Sequence, residues 1–258
     1  MFHFHKITIL IITIVCLFSC QKPGCTDIQA LNYDEEATKN DNSCTYETNF
    51  SVEFSLKYNN SPFSKYDTLR FENNRFRLEK LKFYISNVYL DNFTSHDYTK
   101  DVHLFDIDNP SSQNVTFSTP EGNYTSLHFG LGLDETLNST TPADYGVDHP
   151  LGLNQNTFWA MTPASYIFIM LEGKMDTSET TDFFPISYHL AHNDLYQIKN
   201  IDHDIVVNRS SENKLRININ MLNLFDAIDL SQNLPHQSTA SPLAVQLMSN
   251  FSSALEVE

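Results

Sequence analysis

In the stretch NFSVEFSLKY, Phe50, Val52, Phe54 and Leu56 alternate with mostly polar neighbours. A period of two puts all four on one face of an extended backbone and does not fit the 3.6-residue period of a helix. The same pattern recurs along the chain. RFRLEKLKFYISNVYLDN carries Leu81, Phe83 and Ile85 on one parity and Val88 and Leu90 on the other, so the switch at Ser86-Asn87 predicts a β-bulge. VHLFDID from Val102 and YTSLHFGLG from Tyr124 continue the series, separated by turn-forming stretches such as DNPSSQN. Residues 131–148 read as a loop, with several turn signals around Asn138-Ser139-Thr140-Thr141-Pro142.

Beyond that loop lies HPLGLNQNTFWAMTPASYIFIMLEG, residues 149–173, which holds the chain's single tryptophan. Trp159 and Met161 are two apart and share a face if the backbone is extended, and YIFIML, residues 166–171, reads as a buried strand ended by Glu172 and Gly173. FFPISYHLAH adds a strand carrying His189, and IDHDIVVN and NKLRININ add two more. No long helical period precedes Asn220. MLNLFDAI predicts a helical turn, and SPLAVQLMSNFSSALEV predicts a terminal amphipathic helix begun by Ser241 and Pro242. The expectation is an all-β chain, an antiparallel β-sandwich of about eight to ten strands with a short C-terminal helix. Seven glycines and no internal repeat argue against a propeller or solenoid.

The N-terminus predicts export. Lys6 precedes an apolar run over residues 7–18, too short for a membrane-spanning helix and suited to a signal peptide. It ends in Leu17-Phe18-Ser19-Cys20, which looks like a bacterial lipobox, so residues 1–19 form a lipoprotein signal and Cys20 becomes the acylated first residue, tethering the protein to a membrane in the cell envelope. An ordinary cleaved signal is the alternative. Of the four cysteines, this leaves Cys25 and Cys44 to pair as a disulfide in an oxidising compartment. The loop it closes, roughly twenty residues, is stabilised by about 3 kcal/mol on the chain-entropy estimate. Residues 20–48 therefore read as a stapled spacer and residues 49–258 as the main domain. Calcium is a weak reading for the spacer, because its acidic residues Asp34, Glu35, Glu36 and Asp41 miss the D-x-D-x-D-G spacing.

A formal charge of −16 with no Lys/Arg cluster excludes nucleic acid as a partner. There is no G-x-S-x-G, P-loop or H-E-x-x-H motif and no free cysteine in the mature chain, so nothing asks for an enzyme. Histidine remains: His96, His103, His128, His149, His189, His192, His203 and His236 follow the signal. Imidazole together with thioether is a ligand set that suits Cu(I). Each of these histidines, taken singly, is more often a hydrogen-bonded surface residue than a metal ligand. The competing reading is a metal-free envelope interaction module that binds a protein or glycan through an aromatic face, supported by 12% aromatic residues.

LKFYISNVYL, LFDID, EGNYTSLHFGLGLDETLN, the 149–173 stretch, YHL and LAVQLMSNF follow one another in an order that resembles the MbnP-like family, the methanobactin-associated copper-binding proteins and their lipoprotein relatives. The Cys25 to Cys44 segment likewise resembles short cysteine modules of exported Bacteroidetes proteins. The family resemblance implies Cu(I) held by histidines and by a tryptophan oxidised to kynurenine through a partner di-haem peroxidase-like enzyme. Carried over by motif, Trp159 is the modifiable tryptophan, His149 and His189 are the histidines in matching segments, and His236 matches a histidine before the final helix. The chain departs from the family at Trp159-Ala160-Met161, where relatives commonly read W-x-W, and at Lys57, where many relatives have histidine. Met161 then becomes a candidate thioether ligand.

Overall fold

Strands in two layers dominate the regular structure in a computed structural model that describes residues 21–72, 74–91, 100–177, 183–228, 236–237 and 241–258. The expected signal peptide, the acylated Cys20 and His96 lie outside the described residues. The chain divides into two units, the first ending at Tyr46 and the second running Glu47–Glu258.

In the first unit, β1 (Pro23–Gly24) and β2 (Lys39–Asn40) pair in parallel, and Cys25 and Cys44 form the expected disulfide. Asp27, Asp34, Glu36 and Asp41 take part in turns and ion pairs. The side chains of Asp27, Asp34 and Asp41 each accept from a backbone N–H two residues on, at 2.9 Å. Lys22 Nζ lies 3.0 Å from Asp34 and 2.8 Å from Glu36, so an ammonium already pairs with two of the four carboxylates offered for calcium.

The second unit contains β3 (Glu47–Tyr58), β4 (Ser61–Pro62), β5 (Thr68–Phe71), β6 (Asn74–Asp91), β7 (Lys100–Asp106), β8 (Asn114–Pro120) and β9 (Gly122–Leu131). These are followed by α1 (Glu135–Asn138), β10 (Phe158–Trp159), β11 (Ser165–Asp176), β12 (Phe184–Ala191), β13 (Gln197–Val207), β14 (Lys214–Asn220), β15 (His236–Gln237), α2 (Pro242–Ser253) and β16 (Leu255–Val257). The larger sheet follows the order β13-β9-β6-β11-β12-β15, with β5 and β7 on β6 and β10 on β11. The smaller sheet runs β16-β14-β3-β4, with β8 also on β3. Most pairs are antiparallel, as expected, while β3 with β14 and β12 with β15 are parallel.

Alternation fills the space between the layers. Phe50, Val52, Phe54 and Leu56 of β3 are all buried. Phe54 meets Phe83, Phe105 and Phe129 of the larger sheet at ring separations of 5.7, 6.4 and 6.5 Å, all three edge-on, the geometry that aromatic quadrupoles favour. The predicted bulge is present: Asn87 is left-handed at φ 53°, and the β6–β9 register shifts between Ser86 and Tyr89. The terminal helix begins where predicted, the Ser241 hydroxyl accepting from the Ala244 N–H at 3.1 Å, and Phe251 packs on Phe83.

Two expectations change, and one strand is added. Trp159 and Met161 do not share an extended face, because β10 ends at Trp159 and the chain bends over residues 161–163, leaving Met161 65% exposed. The strand expected to stop at Glu172-Gly173 continues to Asp176. Gly173 is a close approach rather than a terminator, since a Cβ there would lie 2.3 Å from the Arg77 carbonyl oxygen, where the β6–β11 register shifts. Finally, NVTFSTP forms β8, burying Val115, Phe117 and Thr119 against β3.

The aromatic contact at Phe54 ties the two layers together. Phe54→Ala should cost about 3–5 kcal/mol in urea unfolding of the full chain. A loss below about 1 kcal/mol would contradict that packing role.

Candidate metal centre on the outer face of the larger sheet

Ile169 and Leu171 of β11 pair with Phe83 and Leu81 of β6 and join the core. The intervening residues must point the other way. That outer face carries Lys80 and Lys82 of β6, Met170 and Glu172 of β11, and Ser187 and His189 of β12, with Met170 opposite His189 and Glu172 opposite Ser187.

These side chains form a connected polar set. His189 Nε2 lies 2.8 Å from Glu172 Oε1 and 3.0 Å from Ser187 Oγ, and Glu172 Oε2 lies 3.1 Å from Lys80 Nζ. Burial pushes the Glu172 carboxyl up, but the hydrogen bonds from His189 and Lys80 outweigh it and hold the group below its usual value. The stability this contributes is present above the unfolded-state pKa and is lost as pH falls through the lower folded value. An ionised carboxylate only accepts, so the 2.8 Å bond requires the proton on His189 Nε2 and leaves Nδ1 as the lone-pair nitrogen of the neutral ring. Because Ser187 and Glu172 both approach the same nitrogen, the three do not form a proton relay of the Ser-His-acid kind, which needs the two ring nitrogens on opposite partners.

Residues 134–157 pack over the neighbouring part of this face. Two buried tyrosines pin them. Tyr84 donates to the Pro150 carbonyl at 2.8 Å and shares a 2.6 Å bond with the Thr157 hydroxyl, while Tyr166 donates to the Leu151 carbonyl at 3.0 Å. Burial raises both phenols, Tyr166 to about 12. Lys82 Nζ reaches the Gln155 carbonyl at 3.1 Å and Asp106 at 2.8 Å.

The other candidate residues fall at separate places. His149 lies in this loop, stacked on Tyr145 at 4.5 Å, and its Nδ1 accepts the Leu151 N–H at 3.1 Å, so a metal at that nitrogen would have to break the bond. Trp159 is half-buried and pairs with Ser165, whereas His189 pairs with Met170, five residues and about 16 Å farther along β11. Met161 is beyond β10 in the bend. The backbone of His236 pairs with Ser187, two residues before His189, which brings β15 beside the set. Among the described residues, no three His, Cys, Asp or Glu side chains converge as a metal cluster. His103 and His128 serve local structure, with Nε2 at 2.7 Å from the Ser112 carbonyl and 2.9 Å from the Ser126 hydroxyl. Glu172, Ser187 and Met170 are absent from the sequence-derived set because their nearness to His189 depends on strand register.

The MbnP family model matches residues 47–244 of the chain. The solved structure of MbnP from Methylosinus trichosporium superposes with a TM-score of 0.46 at 12% identity, covering 74% of this chain and 81% of that one. No curated protein matches.

Nitrogen-15 NMR of the metal-free protein should show His189 as the Nε2–H tautomer, moving to a mixture in Glu172→Ala. A dominant Nδ1–H tautomer in the unsubstituted protein would contradict the assigned hydrogen bond.

Proposed function

The chain belongs to the MbnP family, and on that premise we propose that it binds copper as Cu(I) for scavenging, storage or delivery, without turnover of its own. His189 carries the reading. It lies in the YHL segment that carries the family resemblance, its side chain is 27% exposed, and the carboxylate of Glu172 accepts the hydrogen bond from Nε2–H and leaves the Nδ1 lone pair to donate to a metal. A carboxylate behind an imidazole is the usual outer-shell arrangement of a metal-ligating histidine, fixing its tautomer and raising its basicity. A neutral nitrogen donor of this kind suits Cu(I). The backbone position of His236 on the neighbouring strand supplies a second candidate donor.

Within this proposal the protein is exported and held at the cell envelope by a lipid on Cys20. Trp159, half-buried near the start of β11, is then the position that an oxidising di-haem peroxidase-like partner would modify. Cu(I) affinity should fall with pH through the histidine range, because protonated imidazole cannot donate.

His189→Ala should abolish high-affinity Cu(I) binding, measured anaerobically against a chromophoric chelator, and leave the β-type circular dichroism unchanged. Full stoichiometry in that variant would remove His189 from the site.

A further inference from the structure

Met170 is a buried methionine that takes no part in the core between the sheets. It is 5% exposed, yet the core includes its neighbours Ile169 and Leu171 and not Met170 itself. Strand alternation explains this, turning Met170 to the outer face, where its cross-strand partner on β12 is His189. Directly opposed residues on antiparallel strands hold their Cβ atoms about 4.5–5.5 Å apart, within reach for a thioether and an imidazole to converge on one ion. On the other flank Met170 is paired with Lys82, whose ammonium is drawn off to Asp106 at 2.8 Å and the Gln155 carbonyl at 3.1 Å. The ammonium of Lys80 is likewise held by Glu172. Lys80 and Lys82, the lysines of β6 on this part of the face, are therefore each engaged by an acidic partner.

We infer that Met170 Sδ and His189 Nδ1 are the paired donors of a soft monovalent metal site on the outer face of the larger sheet, with Glu172 fixing the imidazole. This rests on the copper reading above and changes its thioether: Met170 takes the role that the sequence suggested for Met161, which is 65% exposed in the bend beyond β10. The donor chemistry selects the ion. A thioether is a poor ligand for hard divalent cations and a good one for Cu(I) or Ag(I), and an adjacent neutral imidazole completes a two-donor seat without adding charge. Packing alone would be served equally by leucine, which has similar volume and no sulfur lone pair.

The test uses the full chain and Cu(I) supplied anaerobically, comparing the unsubstituted protein with Met170→Leu and His189→Ala by chelator competition and by X-ray absorption at the copper edge. Met170→Leu should fold with an unchanged β signature, lose the sulfur scatterer from the copper shell, and bind Cu(I) on the order of tenfold more weakly or worse, at least the loss that follows removal of an outer-shell partner. If Met170→Leu keeps the unsubstituted affinity and sulfur scattering while His189→Ala binds nothing, Met170 is not a ligand and the copper reading survives. If neither substitution alters binding, the site on the outer face falls while copper binding stands elsewhere on the chain; if the unsubstituted protein takes up no Cu(I), the copper reading falls and the site with it.

Discussion

Side chains on successive residues of a strand point to opposite faces, and in β11 both faces are put to use. Ile169 and Leu171 enter the core beneath Phe54 and its ring partners, while Met170 and Glu172 emerge beside His189. Neither set can move without the other. A one-residue slip in register would carry the apolar pair to the surface and the polar set into the core, so the packing of the layers also fixes which groups meet on the outer face. The positions of Glu172 and Met170 against His189 are thus held by the hydrophobic interior and not by the polar contacts themselves. Those contacts, partly exposed, are worth little as stability but a good deal as orientation.

Loop residues 134–157 depend on the same strands. Tyr84 and Tyr166 are fully buried, each with its hydroxyl spent on a loop carbonyl, so an otherwise irregular segment is fastened at Pro150 and Leu151. Asn138 adds a third tie, its amide oxygen accepting the Tyr166 N–H at 2.9 Å. Buried polar groups satisfied in this way give the loop a defined path over the sheet. His149 is positioned by that path.

Much of the framework was legible in the residues. Alternation in β3, the parity switch at Ser86-Asn87, the pairing of Cys25 with Cys44 and the Ser241 cap are local signals, each complete within a short stretch or a count of cysteines. β8 escaped because only Val115 and Phe117 mark its inner face, too few to stand out from a turn-rich stretch. The end of β11 was misplaced because glycine commonly signals a break, whereas Gly173 continues the strand at a point where the Arg77 carbonyl leaves no room for a Cβ. His189 was legible as a candidate, but its partners were not. Glu172 is seventeen positions away on another strand, and Met170 sat within an apolar run that reads as core throughout. The pairing of 170 with 189 and of 172 with 187 follows from the β11–β12 register, which no single stretch of residues specifies.

The central claim is that copper belongs on the outer face of β11 and β12. Crystals of the full chain loaded with Cu(I), measured on both sides of the copper absorption edge, locate the metal directly. The account predicts one anomalous peak beside His189 and Met170, on the face turned away from Phe54. A peak at His128 or His203 with none at His189 would contradict it.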